Sequence, residues 1–204
     1  ALLYTQDDFQ LQAMIVLDFS ASMYETNEDI DKMTLSAKDL IDSLNETHQV
    51  GVVEFHRPDE PPALLHAFTT YKNATKEAID NFSYGKIYRD FSSCWDAVHK
   101  GLKQFPEKPD PNVFKTLAFL SDGFDNSSFN TPDDVIALAK ERDVHIYALG
   151  IGSGKEEKVL ETIALETGGT YVHSENINVL RERFKQIIKD IKGQYKIKYI
   201  TPKK

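Results

Sequence analysis

The amino-acid sequence predicts a doubly wound α/β fold, in which a mostly parallel central sheet carries helices on both faces. Short apolar runs, among them residues 13–17 and 117–120, alternate with segments in which apolar residues recur at helical spacing. These runs have the length of strands and no polar alternation, which is typical of strands buried on both faces. Because strands separated by helices of roughly 10–15 residues pair through right-handed crossovers, a Rossmann-like sheet is expected.

The first half of the chain is predicted to contain three strands and two helices. Continuous or nearly continuous apolar runs predict strands over residues 13–17, 50–55 and 63–68. Helical spacing of apolar residues predicts one helix over residues 33–44. A second helix is predicted to begin near Ser92, because the apolar residues between positions 97 and 105 recur at the same spacing.

The second half continues this alternation of strands and helices. Strands are predicted over residues 117–120, 145–149 and 170–173, and helices from Thr131, over 155–167 and over 180–191. The residues from Thr131 onward are Thr, Pro, Asp and Asp, which supply an N-cap, a proline suited to the first helical position and favourable charges at the positive end of the helix dipole. The Gly168-Gly169 pair is predicted to end the helix before the last strand.

The chain is predicted to consist of a main domain over residues 13–192, a lead-in segment over 1–12 and a trailing segment over 193–204. Tyr and Ile alternate with Lys in the trailing segment, which predicts a strand with one solvated face or the start of a linker to a following domain.

The net charge is −8, yet residues 181–204 hold nine basic and two acidic residues. The rest of the chain is therefore strongly acidic.

The composition excludes several classes of function. An acidic body repels a phosphate backbone and attracts divalent cations, so no nucleic-acid partner is expected. No membrane span is expected either, because the longest apolar runs fall far short of roughly 20 residues.

The single cysteine, Cys94, excludes an intramolecular disulfide and a multi-thiolate zinc site. Cys94 is expected to be a small buried side chain or, at a helix start, a thiol of lowered pKa.

Oxygen-bearing side chains follow two of the predicted strands. Asp18, Ser20 and Ser22 alternate directly after the first strand, and Asp122 and Gly123 follow the strand at 117–120. The carboxyl ends of strands in an open α/β sheet face the crevice in which ligands bind. Carboxylates and hydroxyls without soft ligands are suited to Mg²⁺ or a similar hard cation. The sequence therefore predicts a cation site at this edge.

Three segments resemble the motifs of von Willebrand factor type A domains. They are IVLDFSASM at residues 15–23, SSCWDAV at 92–98 and LSDGFDN at 120–126, and the resemblance covers roughly residues 11–192. In that family these segments form the metal-ion-dependent adhesion site (MIDAS). The resemblance implies a set of five metal ligands: Asp18, Ser20, Ser22, Ser92 and Asp122.

The middle segment departs from the family pattern. Ser92 stands where the family has a threonine, which keeps the hydroxyl but removes the β-branch that restricts its rotamer. Phe91 stands where a glycine usually precedes that position. Because Ser93 is adjacent and also carries a hydroxyl, either Ser92 or Ser93 is the second-loop ligand, with Ser92 preferred.

The resemblance also implies a function, which is protein binding without catalysis. A partner protein would present an Asp or Glu carboxylate to the open position of a bound Mg²⁺, or of Mn²⁺ or Ca²⁺. Specificity would then come from apolar residues around the metal, for which the candidates are Tyr24, Phe91, Phe124 and Phe129. Such a domain is expected to belong to a larger multidomain protein. The resemblance favours an extracytoplasmic location (secreted, periplasmic or cell surface), although one cysteine also fits the cytoplasm.

Two alternatives explain part of the same pattern. A haloacid-dehalogenase-like phosphatase would use Asp18 as a nucleophile assisted by Mg²⁺, but that chemistry requires a second acid where Ser20 stands. A structural von Willebrand factor A module with a vestigial metal site would have lost ligands. All five positions here carry oxygen donors, which favours a competent site.

Overall fold

The computed structural model describes residues 10–20, 23, 27–56, 60–83, 92–108, 110, 112–121, 125–151, 157–174, 182 and 186. Six strands and five helices lie in this part of the chain. In chain order they are β1 (Gln10–Asp18), α1 (Asn27–Ser43), β2 (Gln49–Phe55), β3 (Ala63–Thr69), α2 (Lys72–Ser83), α3 (Cys94–Leu102), β4 (Val113–Ser121), α4 (Pro132–Arg142), β5 (His145–Ile151), α5 (Glu157–Glu166) and β6 (Tyr171–Ser174).

The strands form one sheet in the order β3-β2-β1-β4-β5-β6, and this confirms the predicted doubly wound α/β class. All neighbouring pairs are parallel except β2 and β3, which pair antiparallel. From β1 the strand order proceeds toward one edge of the sheet through β2 and β3, and from β4 it proceeds toward the other edge through β5 and β6. The carboxyl ends of β1 and β4 are therefore neighbours. In open α/β sheets a crevice for ligands forms at this switch point.

Apolar residues cover both faces of the central strand. Ile15 and Leu17 of β1 pack in one core cluster with residues of α1 and α2, whereas Met14 and Val16 pack in another with residues of α3, α4 and α5. Successive side chains of a strand point to opposite faces, so an unbroken apolar run gives a strand that is buried on both sides. The helices are therefore divided between the two faces as predicted.

Helix α3 packs unusually close to the sheet because it carries a glycine at the contact. A Cβ atom on Gly101 would lie 3.1 Å from the Leu117 side chain and 3.2 Å from those of Met14 and Val16. These distances are shorter than ordinary van der Waals contacts. The close packing holds the last turn of α3 against the middle of β1 and β4.

Two of the predicted helix boundaries are confirmed in detail. Thr131 caps α4 in a capping box with Asp134, and Pro132 occupies the first helical position. Gly168, two residues after the end of α5, has a φ of 75°, a conformation that favours glycine.

Other parts of the chain differ from the prediction or lie outside it. The apolar pattern predicted no helix over α2, whose inward face consists of Thr75, Ile79 and Phe82 alone. β1 begins at Gln10, inside the segment assigned as a lead-in. The helix predicted over 180–191 is described only at residues 182 and 186, and the trailing segment lies outside the described residues. Among the described residues, no helix combines the length and hydropathy needed to cross a membrane.

Candidate metal centre

Three of the five predicted ligands lie in the described part of the chain, and all three are buried. Asp18 ends β1 and has no exposed surface, while Ser20 and Ser92 are each 2% exposed. Ser22 and Asp122 fall outside the described residues. β4 ends at Ser121, directly before Asp122, and Leu17 pairs with Leu120 in the sheet register. The ends of the two predicted ligand strands are therefore adjacent.

The carboxylate of Asp18 is fixed by hydrogen bonds to both oxygens. Its Oδ1 accepts from the backbone N–H of Ser20 at 2.9 Å, and its Oδ2 accepts from the Ser121 hydroxyl at 2.5 Å. A buried carboxylate is costly unless it is hydrogen-bonded or paired, and both of these donors are neutral. These two hydrogen bonds, one from the loop after β1 and one from the end of β4, orient the Asp18 carboxylate.

The loop before α3 is fastened to the loop after β4 through Ser92. The Ser92 N–H donates to Asn126 Oδ1 at 3.0 Å. Its carbonyl accepts from the N–H groups of Asn126 and Ser127, both at 3.2 Å, and from the Ser127 hydroxyl at 2.7 Å. Ser92 is therefore held through its backbone, which leaves its side chain to other contacts.

The side chains of Ser92 and Asp18 are connected through two intermediate residues. Ser92 Oγ lies 3.0 Å from Cys94 Sγ, and this sulfur lies 3.6 Å from Ser121 Oγ, which donates to Asp18. Ser93 Oγ, the alternative ligand, is buried and has no hydrogen-bond partner in the described part of the chain. The structure therefore links Ser92, rather than Ser93, to the carboxylate.

Cys94 is completely buried, and the pKa of its thiol is raised. Burial is the main cause because it disfavours the thiolate, and the nearby charge of Asp18 adds to it. The expectation of a small buried side chain is confirmed, and the alternative of a lowered pKa is wrong. A protonated thiol is a weak hydrogen-bond donor, so Cys94 can take part in polar contacts without being reactive.

The start of α3 is capped from a distance by the loop after β4. Ser93 occupies the N-cap position but makes no capping hydrogen bond with its side chain. Instead, the Trp95 N–H donates to Asp125 Oδ2 at 3.2 Å and to Ser128 Oγ at 3.0 Å. A carboxylate at a helix N-terminus is favoured by unsatisfied N–H groups and by the helix dipole.

Asp96, in the first turn of α3, also binds the loop after β4. Its carboxylate accepts from the N–H of Phe129 at 3.1 Å, the N–H of Asn130 at 2.8 Å and the Asn130 side-chain amide at 2.6 Å. The sequence did not predict the contacts that join these segments, which are made by Asp96, Ser121, Asn126 and Ser128. A run of short polar residues after β4 is the only signal the sequence offers, and it does not reveal partners more than 30 residues away.

A sequence profile of the von Willebrand factor type A domain matches residues 14–186. The chain belongs to this family. Domains of the family generally mediate protein interaction or adhesion, are generally non-enzymatic and often occur in multidomain proteins. No curated protein shows significant sequence similarity to the chain.

Solved structures similar to this von Willebrand factor type A domain come from varied sources. The conserved hypothetical protein BatB from Bacteroides thetaiotaomicron has a TM-score of 0.72 and 18% identity, over 90% of this chain and 100% of that one. Proximal thread matrix protein 1 from the mussel byssus, with a zinc-occupied MIDAS motif, has a TM-score of 0.71 and 22% identity, over 92% and 48%. The pilus adhesin SpaC from Lactobacillus rhamnosus GG has a TM-score of 0.69 and 14% identity, over 92% and 30%. At these identities the likeness establishes the fold.

The donor set of this domain is compatible with a hard divalent cation. The described ligands contribute a buried carboxylate and two buried hydroxyls, which are the oxygen donors that Mg²⁺, Mn²⁺ and Ca²⁺ prefer. Within the described residues, no group of three or more His, Cys, Asp or Glu side chains could hold a metal. The predicted ligand set is of a different kind, because it contains two carboxylates, Asp18 and Asp122, and its other members are serines.

One of the four apolar rim candidates can be located. Phe129 lies in the loop between β4 and α4 and is 97% exposed, although its backbone N–H is held by Asp96. Tyr24, Phe91 and Phe124 lie outside the described residues. The hydrogen bond holds the backbone of Phe129 in place while its aromatic side chain is exposed to solvent.

Proposed function

We propose that this domain binds a partner protein through a divalent cation at the carboxyl edge of β1 and β4, and that an Asp or Glu carboxylate of the partner completes the coordination. The proposed ligands are Asp18, Ser20, Ser22, Ser92 and Asp122. The observation that carries the proposal is the buried line of polar contacts from Asp18 to Ser92, which brings oxygen donors from separate segments to one place.

The donor chemistry determines what such a site does. Two carboxylates and three neutral hydroxyls balance the charge of a divalent cation without exceeding it, and they leave one position of an octahedral shell open for a further oxygen ligand. A partner carboxylate is a hard oxygen donor of the kind that Mg²⁺ prefers. Mg²⁺ is the proposed cation, and Mn²⁺ and Ca²⁺ are the alternatives.

Specificity for the partner is proposed to come from the surrounding loops. A single bond between an ion and a carboxylate carries little information about sequence, whereas aromatic anchors contribute strongly to protein interfaces. Phe129 is available for this role because it is 97% exposed on the loop that contacts α3. Tyr24, Phe91 and Phe124 are proposed as further rim residues from the sequence.

Catalysis by Asp18 is not favoured by its surroundings. A haloacid-dehalogenase-like phosphatase would need a second acid two residues after Asp18, and Ser20 stands there. The proposed role is therefore that of a metal ligand.

The domain is proposed to act outside the cytoplasm, as part of a larger protein. Similar structures include a pilus adhesin and an aerotolerance-related membrane protein from Bacteroides fragilis, which supports a surface or membrane-associated setting. The proposed domain covers the predicted range 13–192 extended back to Gln10, where β1 begins, with the preceding residues as a lead-in and 193–204 as a trailing strand or linker. The acidic body argues against a nucleic-acid partner.

The carboxylate step can be tested without knowing the partner. Mn²⁺ is loaded into the wild-type chain and into Asp18→Ala, and ¹³C-carboxylate acetate is added as a stand-in for the partner side chain. Electron-nuclear double resonance is expected to show a ¹³C coupling of inner-sphere size in the wild type and none in Asp18→Ala. Bound Mn²⁺ without any ¹³C coupling would indicate a closed metal site, and absence of bound Mn²⁺ would indicate a vestigial one.

A further inference from the structure

Four buried side chains form a continuous line from the loop before α3 to the end of β1. Ser92, Cys94, Ser121 and Asp18 follow one another at 3.0, 3.6 and 2.5 Å, and none of them is more than 2% exposed. The first and last members are proposed metal ligands. The two residues between them, Cys94 and Ser121, are not among the proposed ligands.

The donor and acceptor roles along this line follow from its acidic end. An ionised carboxylate can only accept, so Ser121 gives its one hydroxyl proton to Asp18. Ser121 Oγ can then only accept from Cys94, which must donate its one S–H proton. The sulfur is left as an acceptor for the Ser92 hydroxyl. Every proton in the line therefore points toward Asp18.

This order decides the state of the Ser92 hydroxyl. Its proton is directed at the sulfur of Cys94, and the described residues offer Ser92 Oγ no other hydrogen bond. Both lone pairs of the oxygen remain available to a cation. If Cys94 instead donated to Ser92, the thiol would occupy one lone pair of Ser92 Oγ. The hydroxyl proton of Ser92 would then be free to point toward the cation and compete with it for space.

We propose that Cys94 and Ser121 are positioning residues that orient Ser92 and Asp18 for cation binding. The inference rests on the proposed cation site and identifies the residues that prepare it. Groups that hydrogen-bond to metal ligands commonly change metal affinity by about 10- to 100-fold when they are removed. The weaker hydrogen bonds of sulfur place the expected loss for Cys94→Ala at the low end, near tenfold.

The proton order can be tested without any metal. Because the chain has one cysteine, its infrared S–H stretching band belongs to Cys94 alone. Loss of a hydrogen-bond acceptor raises the S–H frequency, so Ser121→Ala is expected to shift the band upward more than Ser92→Ala does. A larger upward shift in Ser92→Ala would mean that Cys94 donates to Ser92, which would overturn the proposed order.

The positioning role is tested by measuring the Mn²⁺ dissociation constant together with thermal stability in EDTA. Ser121→Ala and Cys94→Ala are expected to weaken Mn²⁺ binding about tenfold, whereas Cys94→Ser, which keeps a donor and an acceptor, is expected to stay within about threefold of the wild type. Thr116→Val serves as the matched control, because Thr116 is a buried hydroxyl on the same strand that makes no hydrogen bond with the described residues. The Mn²⁺ dissociation constant of Thr116→Val is expected to equal that of the wild type.

Two failures are distinguishable in this experiment. If Ser121→Ala and Cys94→Ala lower the melting temperature in EDTA but bind Mn²⁺ like the wild type, the two residues are structural and the inference is wrong. If Asp18→Ala also binds Mn²⁺ like the wild type, the proposed metal site itself is wrong.

Discussion

Two acidic side chains are completely buried on neighbouring strands, and the structure accommodates them in different ways. Asp18 ends β1, and Glu54 lies one residue before the end of β2. Glu54 Oε2 lies 2.7 Å from Nδ1 of His56, a buried residue whose Nε2 lies 3.3 Å from Glu60. Asp18 receives hydrogen bonds from a peptide N–H and a serine hydroxyl.

The difference matches the roles proposed for the two acids, which are a structural role for Glu54 and a metal-ligand role for Asp18. Glu54 lies against a side chain that can carry a positive charge, so its pairing is provided by the chain itself. The groups described as donors to Asp18 are neutral, and they orient the carboxylate without neutralising it. Burial of an acid therefore does not by itself predict a metal ligand, and the proposal for Asp18 also depends on the oxygen donors near it.

The largest expected effect comes from breaking the structural pair. His56→Ala is expected to lower the free energy of unfolding by about 3 kcal/mol, because it removes the side chain that can carry a positive charge beside the buried Glu54 carboxylate. Denaturant unfolding in EDTA measures this loss. The Mn²⁺ dissociation constant of the folded variant is expected to match that of the wild type.

Glu54→Gln combined with His56→Ala provides the control for this change. The double variant is expected to recover part of the lost stability, because no unpaired carboxylate remains. A variant as unstable as His56→Ala alone would show that packing, and not charge, accounts for the loss.

Asp18→Ala is expected to remove the stabilisation by cations. A cation that binds only the folded state stabilises it by about 2.7 kcal/mol at a concentration 100 times its dissociation constant. Thermal unfolding of the wild type with Mg²⁺ or Mn²⁺ is expected to show this gain over EDTA, and Asp18→Ala is expected to show none. Persistence of the gain in Asp18→Ala would remove Asp18 from the site.

The two adjacent serines are expected to differ in their effect on the site. Ser92→Ala is expected to weaken Mn²⁺ binding about tenfold, or about 1.4 kcal/mol, because it removes a ligand and ends the line to Asp18. Ser93→Ala is expected to leave the affinity within about twofold, since Ser93 is the N-cap of α3 but makes no capping bond. Calorimetric titration of both variants checks the ranking, and the reverse order would assign the ligand to Ser93.

The smallest expected effect lies at the capping box of α4. Thr131→Ala is expected to lower stability by about 1 kcal/mol at neutral pH without changing cation binding. The hydrogen bonds from the Thr131 hydroxyl and N–H lower the pKa of Asp134, so the part that depends on the ionised carboxylate is present above the usual pKa of an aspartate and is lost as the pH falls through the lowered value. The stability difference between wild type and variant is therefore expected to become smaller in acid, while the cap bond from the Asp134 N–H keeps the remainder, and a constant difference would contradict this.

The fold was predictable wherever a single segment determines its own structure. The apolar run before Asp18 is buried on both faces whatever its partners are, and the Thr131–Asp134 capping box is formed within four residues. Helix α2 was not predictable in this way, because it buries a face of only three residues against β2, β3 and α1. Its apolar periodicity is too weak to stand out from an irregular segment.

The position of Asp18 was predictable from the sequence, but the contacts that orient its carboxylate were not. Asp18 ends a strand, and that position alone places it at the carboxyl edge. The contact between Ser121 and Asp18 joins residues 103 positions apart, and the one between Ser92 and Asn126 spans 34. Such pairs depend on the order of strands in the sheet, which the sequence does not specify residue by residue.

The central claim is that carboxylates from the ends of β1 and β4 bind one cation together. It is tested most directly by titrating Mn²⁺ into the wild-type chain and into Asp122→Ala, with electron paramagnetic resonance reporting free Mn²⁺. The wild type is expected to bind one Mn²⁺ per chain, and Asp122→Ala is expected to bind none in the same concentration range. Equal binding by the two proteins, or none by either, would contradict the claim.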